Sequence, residues 1–290
     1  MIKTIKTKQF KITALVLAAV LALTCVFWNP TEAHALELQS ANIQTFANAR
    51  AITDSQLVGT AENPVKIGVF ITGATNSRYD YDNVDFTHNG TSWSGGGMLY
   101  EGSGSTQMIS AYYPYKEDVS DNGFTVYASD QIDYMCATPT KLTSAAVTLT
   151  MKHVMAKIVL APTLGTEVNS NDAIANIEVG GMYASGMWTV STNTWSGETG
   201  SITLEMTDDD SDGTYEVLVI PMDNCAYFPV TVTMESGRVF KTTVSLGDGG
   251  ALASGTQYTI SLQVGQDVVA LDEITAASWS SVSGGSLGTE

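Results

Sequence analysis

Beyond residue 60, apolar and polar positions alternate in short runs that are interrupted by Gly, Asn, Asp and Ser. A period of two is what a strand with one buried face produces, and this spacing of interruptions is that of β-sandwiches. The pattern predicts strands over 66–72, 107–115, 123–128, 147–160, 201–206, 214–220, 229–234, 238–244 and 257–264. Their Val, Ile, Thr and Tyr content suits a pleated, half-buried surface. No stretch carries a credible long amphipathic helix, so the fold class is all-β.

Two connections have turn chemistry of their own. Ser236-Gly237 sits between two alternating runs and predicts a tight hairpin, and Asp121-Asn122-Gly123 offers residues that tolerate positive φ. The Gly-Ser stretches 95–105 and 247–255 read as exposed loops.

The run 147–160 is the most informative. Val147, Leu149 and Met151 alternate with Thr148, Thr150 and Lys152, after which Val154, Ala156, Ile158 and Leu160 become the apolar set. A change of parity in a strand requires a bulge, a bend or a move to another buried surface. It predicts the end of a first domain, with the boundary near Ala161-Pro162. A strand that is apolar on both faces is the alternative, supported by Met155 and Val159.

The N-terminus follows a different pattern. Lys3, Lys6, Lys8 and Lys11 precede an apolar run from Ile12 to Trp28, the layout of a secretory signal, and Ala33-His34-Ala35 places cleavage after Ala35. Two other readings compete. Cys25 would carry lipid if Ala22-Leu23-Thr24 were a lipobox, against which stand Thr24 and the apolar Val26-Phe27-Trp28; an uncleaved span is the other. After cleavage Leu36 and Leu38 alternate with Glu37 and Gln39, and Ile43 and Phe46 follow before Arg50, the pattern of an N-terminal strand. The mature length suits either one large β domain or two sandwiches, and the predicted organisation is a signal over 1–35, a β-sandwich over 36–161 and a second over 162–290.

Charge narrows the partners. The leader holds four Lys and Glu32, so the remainder carries nine basic and 29 acidic residues, a formal net charge of −20. Such a chain repels nucleic acid and anionic lipid. Disorder would need few aromatics, whereas the sequence has 12 Tyr, 8 Phe and 5 Trp, so the acidic surface is read as that of a folded protein. Cys136 and Cys225 remain after cleavage, either as a disulfide in an oxidising compartment or as buried thiols.

Three strings occur in an order that carries a resemblance: Lys66-Ile67-Gly68-Val69-Phe70, then Ala111-Tyr112-Tyr113-Pro114-Tyr115, then His153-Val154-Met155-Ala156-Lys157-Ile158. With Gly255-Thr256-Gln257-Tyr258-Thr259-Ile260 and the segment 274–279 near the end, the chain resembles the fimbrillins of the Mfa-like type. The resemblance implies two transthyretin-like, Greek-key β-sandwiches, export to the cell surface or fimbrium in association with the outer membrane, and use as a fimbrial subunit or adhesin in cell adhesion. It implies other fimbrial subunits, or further copies of the chain, as partners, together with a host or bacterial receptor. It also implies that a protease cuts after an Arg, here Arg50 before Ala51, so that strand 36–50 leaves and a neighbour's donor strand replaces it. A surface module that binds glycan or peptide without polymerising is the alternative.

No catalytic, cofactor or metal site is predicted. His88 and His153 are the histidines left after cleavage, and neither lies in a metal-ligand spacing; no Cys-x-x-Cys pair, Gly-x-Ser-x-Gly elbow or phosphate loop occurs. His153 reads as a structural residue at a strand bend, and Tyr112, Tyr113 and Tyr115 as packing rather than a sugar-stacking surface. Asp208, Asp210, Asp212 and Gly213 imitate the start of a calcium loop, but Val219 stands where the bidentate Glu belongs, so an acidic hairpin is expected. Trp93, Trp188 and Trp195 lie near glycine-rich turns, where a sugar platform could be built.

Overall fold

The computed structural model describes residues 33–43, 57–119, 123–166, 168–169, 171–208, 211–265 and 269–278. Ten strands lie before residue 154: β1 (His34–Ala35), β2 (Glu37–Ile43), β3 (Val65–Thr72), β4 (Tyr81–His88), β5 (Trp93–Gly95), β6 (Leu99–Tyr100), β7 (Met108–Tyr113), β8 (Gly123–Tyr127), β9 (Met135–Lys141) and β10 (Ala146–His153). Ten follow: β11 (Ala156–Leu164), β12 (Ile174–Met182), β13 (Ser185–Thr189), β14 (Thr194–Thr199), β15 (Ile202–Met206), β16 (Tyr215–Val219), β17 (Tyr227–Met234), β18 (Val239–Ser245), β19 (Thr256–Val264) and β20 (Val269–Ser278). The described residues contain no α-helix, only two single-turn 3-10 segments. The chain is all-β.

The first half forms a seven-stranded sheet in the order β2-β10-β9-β7-β3-β4-β5. In the second half, β16-β11-β19-β20 and β15-β12-β17-β18 form two four-stranded sheets, and β8 joins β13 and β14 in a three-stranded one. Their inward side chains meet in two clusters. One draws on residues 36–151, and the other runs from Phe70 to Val264 and includes both four-stranded sheets.

The parity change in 147–160 is a break between two strands. β10 buries Val147, Leu149 and Met151, Val154-Met155 interrupts the strand, and β11 resumes in a different sheet between β16 and β19. Beyond the break, Ile158, Val159 and Leu160 are consecutive buried residues of a strand covered on both faces. Pro162 lies inside β11, opposite Leu262 of β19. The hairpin at Ser236-Gly237 joins β17 to β18, with Gly237 at φ 84° and its amide donating to the Met234 carbonyl. Asp121 and Asn122 lie outside the described residues, and Gly123 opens β8.

One expectation is corrected. The stretch 95–105 is not simply an exposed loop: β5 ends and β6 lies within it, Met98 is fully buried, and Ser105 is buried too.

Gly68 is required by a close approach. It pairs across β3 and β7 with Tyr112, and a Cβ at Gly68 would come within 2.2 Å of the Tyr112 ring. The tyrosine lies over the glycine and stacks on Phe70 with centroids 5.8 Å apart. Its hydroxyl lies 2.8 Å from Asn83 Oδ1 and 2.9 Å from the Lys116 carbonyl, and it accepts from the Lys116 amide. Burial raises the Tyr112 pKa from its ordinary 10 to about 12. In the unfolded chain that hydroxyl ionises near pH 10, whereas in the native protein it holds its proton until about pH 12. The unfolded state therefore binds fewer protons over this window, and stability falls as pH rises through it. Tyr112→Phe should remove that part of the alkaline loss while costing about 1–2 kcal/mol at neutral pH, because Asn83 and Lys116 lose their partner. Urea titrations at pH 7 and pH 11 check both.

Candidate strand-exchange edge

The N-terminal strand is the outermost member of the seven-stranded sheet. β2 runs parallel to β10, from Glu37 opposite Ala146 to Ile43 opposite Met151, with a register shift between Val147 and Thr148. Leu36 and Leu38 are each 7 % exposed and Ala41 is fully buried, while Glu37 and Gln39 face solvent, so the alternation read from the sequence is that of a half-buried strand. The Leu36 amide donates to the Met98 carbonyl and the Glu37 amide to the Ala145 carbonyl, both at 2.8 Å. On the far side, the Leu57 amide donates to the Ala41 carbonyl at 2.8 Å.

The fit is imperfect in two ways. The register shift puts one extra residue in β2, and among the described residues the buried Asn42 side-chain oxygen has no hydrogen-bond partner. An orphaned buried acceptor costs about 1–3 kcal/mol. The strand is held by its leucines and backbone rather than by a complete polar network.

Ala35 pairs with Leu99 in the two-residue strand β1, and both residues of β1 are exposed. A chain beginning at Leu36 would lose that pairing and keep β2. Cys25, Arg50 and Ala51 lie outside the described residues.

The other candidate residues are committed to structure. His153 Nδ1 lies 2.8 Å from Asp133 Oδ1, and the ring is buried at the break between β10 and β11. His88 Nδ1 accepts from the Gly59 and Gly90 amides, and its ring meets Trp93 edge-on at 5.2 Å. Trp188 and Trp195 do not form a surface platform: they stack at 6.4 Å, and Trp188 is fully buried among Tyr112, Phe124 and Tyr134. Of the tyrosine cluster, Tyr112 is buried and Tyr113 and Tyr115 are half-buried.

Asp208 accepts the Asp212 and Gly213 amides, and Asp212 accepts the amide and hydroxyl of Thr214, which is the chemistry of a tight acidic turn. Asp210 lies outside the described residues, and no group of three or more metal-ligating side chains occurs among those described. Among the described residues, too, no helix is long and apolar enough to cross a membrane.

Cys136 and Cys225 are free thiols, both buried. Burial pushes the Cys136 thiol up to about 12 and raises that of Cys225. Native protein at pH 8 should therefore resist a thiol reagent at both positions, and both should react once guanidinium unfolds it. Rapid labelling of the native protein would contradict this burial.

Residues 49–279 match the model of a family described as fimbrillin-like. The chain is similar in structure to a Bacteroides uniformis protein provisionally assigned to cell adhesion, at TM-score 0.63 and 20 % identity, with 86 % of this chain and 99 % of that one covered. A Bacteroides ovatus protein of the same description gives 0.63 and 16 %, covering 87 % and 100 % of the two chains. A Bacteroides vulgatus fimbrial protein gives 0.55 and 13 %, with 86 % and 100 % covered. At these identities the likeness is one of fold. No curated protein matches the sequence.

Proposed function

Because the chain belongs to the fimbrillin-like family, we propose that it is exported and serves as a fimbrial subunit or adhesin that joins its neighbours by strand addition at the β2 edge. The observation that carries this reading is β2 itself: an edge strand contributing Leu36, Leu38 and Ala41 to the core, yet carrying a register shift and an orphaned Asn42 oxygen. Cleavage after Arg50 would free the strand, and its departure would uncover backbone groups of β10 and the apolar sites that the leucines fill. An incoming strand with apolar residues at alternate positions would supply both. A strand with better register and no orphaned amide would bind β10 more tightly than β2 does, which gives exchange a direction. The signal cleavage after Ala35 and a two-sandwich division near 161–162 belong to the same proposal.

The reading implies no catalytic step and requires no cofactor. Its partners are other fimbrial subunits or copies of this chain, and its receptor specificity would reside in loops. The test is N-terminal sequencing of protein recovered from the surface of native cells. A terminus at Ala51 is expected for assembled material; termini at Leu36 alone, in assembled and free fractions alike, would overturn processing at Arg50.

A further inference from the structure

Residues 142–145 join β9 to β10 as one hairpin, and its arms pair through Lys152 with Cys136 and His153 with Met135. Between the turn and that pairing the arms part, β9 following β7 and β10 following β2. They enclose a cavity of about 380 Å³, closed at both ends and too short for a strand. That volume is within the range of about 300–1,000 Å³ of small-molecule sites. The turn is tied down: the Leu142 amide donates to the Gln107 carbonyl at 2.9 Å, and the Ser144 hydroxyl to the Ala146 carbonyl at 2.6 Å. The cavity is therefore built into the hairpin.

Its lining has the chemistry of a sugar site. Ile109, Val147 and Leu149 are buried members of the core cluster that draws on residues 36–151, and they supply an apolar floor. Thr138, Thr140, Thr148 and Thr150 are exposed and put hydroxyls around the rim. The Thr140 hydroxyl donates to the Thr138 carbonyl at 3.1 Å and keeps its lone pairs. The Ala145 carbonyl accepts from Glu37 of β2, and the Val154 amide donates to Tyr134 on the β9 side. Even-numbered residues of β10 therefore direct their backbone away from β2. At Thr148 and Thr150 no residue of β9 stands opposite in register, so their amides and carbonyls face the cavity. An apolar floor edged by hydroxyls, amides and carbonyls matches a pyranose, which has an apolar ring face and edge hydroxyls that both donate and accept.

Charge selects the sugar. Lys141 and Lys152 both line the cavity and no Asp or Glu does, in a chain with 13 basic and 30 acidic residues. Neither lysine makes an ion pair among the described residues. We propose that the cavity between β9 and β10 binds an acidic sugar residue at the end of a glycan, its ring over Val147 and Leu149 and its carboxylate turned towards Lys141 and Lys152. A charge-assisted contact to an ammonium group fixes which end of the ring enters. The acidic remainder of the surface repels polyanions, so a single carboxylate is favoured over an anionic polymer. The use of this site in adhesion rests on the adhesin role proposed above, whereas binding itself requires neither processing at Arg50 nor exchange of β2.

The test is a titration of the exported chain, beginning at Leu36, with methyl glucuronide, a methyl sialoside and methyl glucoside, each to about 10 mM, a range that resolves millimolar dissociation constants. Residue-resolved nuclear magnetic resonance should show shifts at the Thr148 and Thr150 amides and the Leu149 methyl groups with an acidic sugar, and affinity about tenfold weaker for the glucoside. The tighter of the two acidic sugars identifies the ligand. Lys141→Gln with Lys152→Gln should remove the difference between acidic and neutral sugars while the rest of the spectrum stays native. Lys141→Gln alone, at an exposed position, should give part of that loss. Absence of shifts at these residues with both acidic sugars overturns the proposal. An equal response to the glucoside overturns the acidic selection, and an equal response to sodium acetate would make the lysines an anion patch and overturn the sugar site. A chain that binds the acidic sugar yet shows no Ala51 terminus on cells keeps this site and loses the β2 reading.

Discussion

Trp188→Ala should lower the free energy of unfolding by about 3–5 kcal/mol, the range for removing a buried tryptophan. The indole is fully buried, its ring is edge-on to Phe124 at 5.4 Å and to Tyr112 at 6.4 Å, and its Nε1 donates to Asn193 Oδ1 at 3.1 Å. It also joins the two halves of the chain, because β13, which carries it, pairs with β8 from the first half. Loss of the ring leaves a cavity at that junction, and the Asn193 side chain loses its donor. A urea titration followed by near-ultraviolet circular dichroism reads the effect. A change under about 1 kcal/mol would mean that the aromatic cluster does not consolidate this core.

Removing the N-terminal strand should have an effect of similar size. A chain beginning at Ala51, compared with one beginning at Leu36, loses two buried leucines, each about 2–5 kcal/mol by the cost of truncation. Loss of the buried Asn42 oxygen, orphaned among the described residues, offsets about 1–3 kcal/mol of this, so a net loss centred on about 5 kcal/mol is expected. The peptide of residues 36–43, added in trans, should restore part of that stability in proportion to its concentration. Light scattering should show that the shortened chain self-associates while the longer one stays monomeric, since the vacated edge is open to any strand. Equal stability of the two chains would mean that β2 contributes nothing to the core.

Much of this fold is legible in the sequence wherever apolar residues alternate without interruption. The parity change after Met151 locates a break between sheets, and the β17–β18 hairpin follows from its turn residues. The strands that escape the pattern have physical reasons to do so. β9 carries Pro139 and ends in exposed Thr and Lys residues, because past Cys136 it pairs with β7 and no longer with β10. β13 and β14 contain Gly186 and Gly197, which read as turns; yet at Gly186 a side chain would press within 3.2 Å of the Trp195 ring, so glycine is what that packing needs. The same glycines made Trp188 and Trp195 look like surface residues. β12 is obscured by the Gly180-Gly181 pair near its end.

Sheet order is less accessible to sequence than strand position. That β2 runs parallel to β10, more than 100 residues away, depends on contacts that no local period encodes. The candidate edge was legible as an alternating segment before Arg50.

The central claim is assembly through exchanged strands, and gel analysis of fimbrial material sheared from native cells tests it most directly. Subunits joined by an inserted strand should resist detergent and come apart on heating, because backbone ladders and buried side chains must be lost together. The account predicts a ladder of oligomers, detected with antibody to this chain, that collapses to one band on boiling. A single monomer band in boiled and unboiled lanes alike would contradict it.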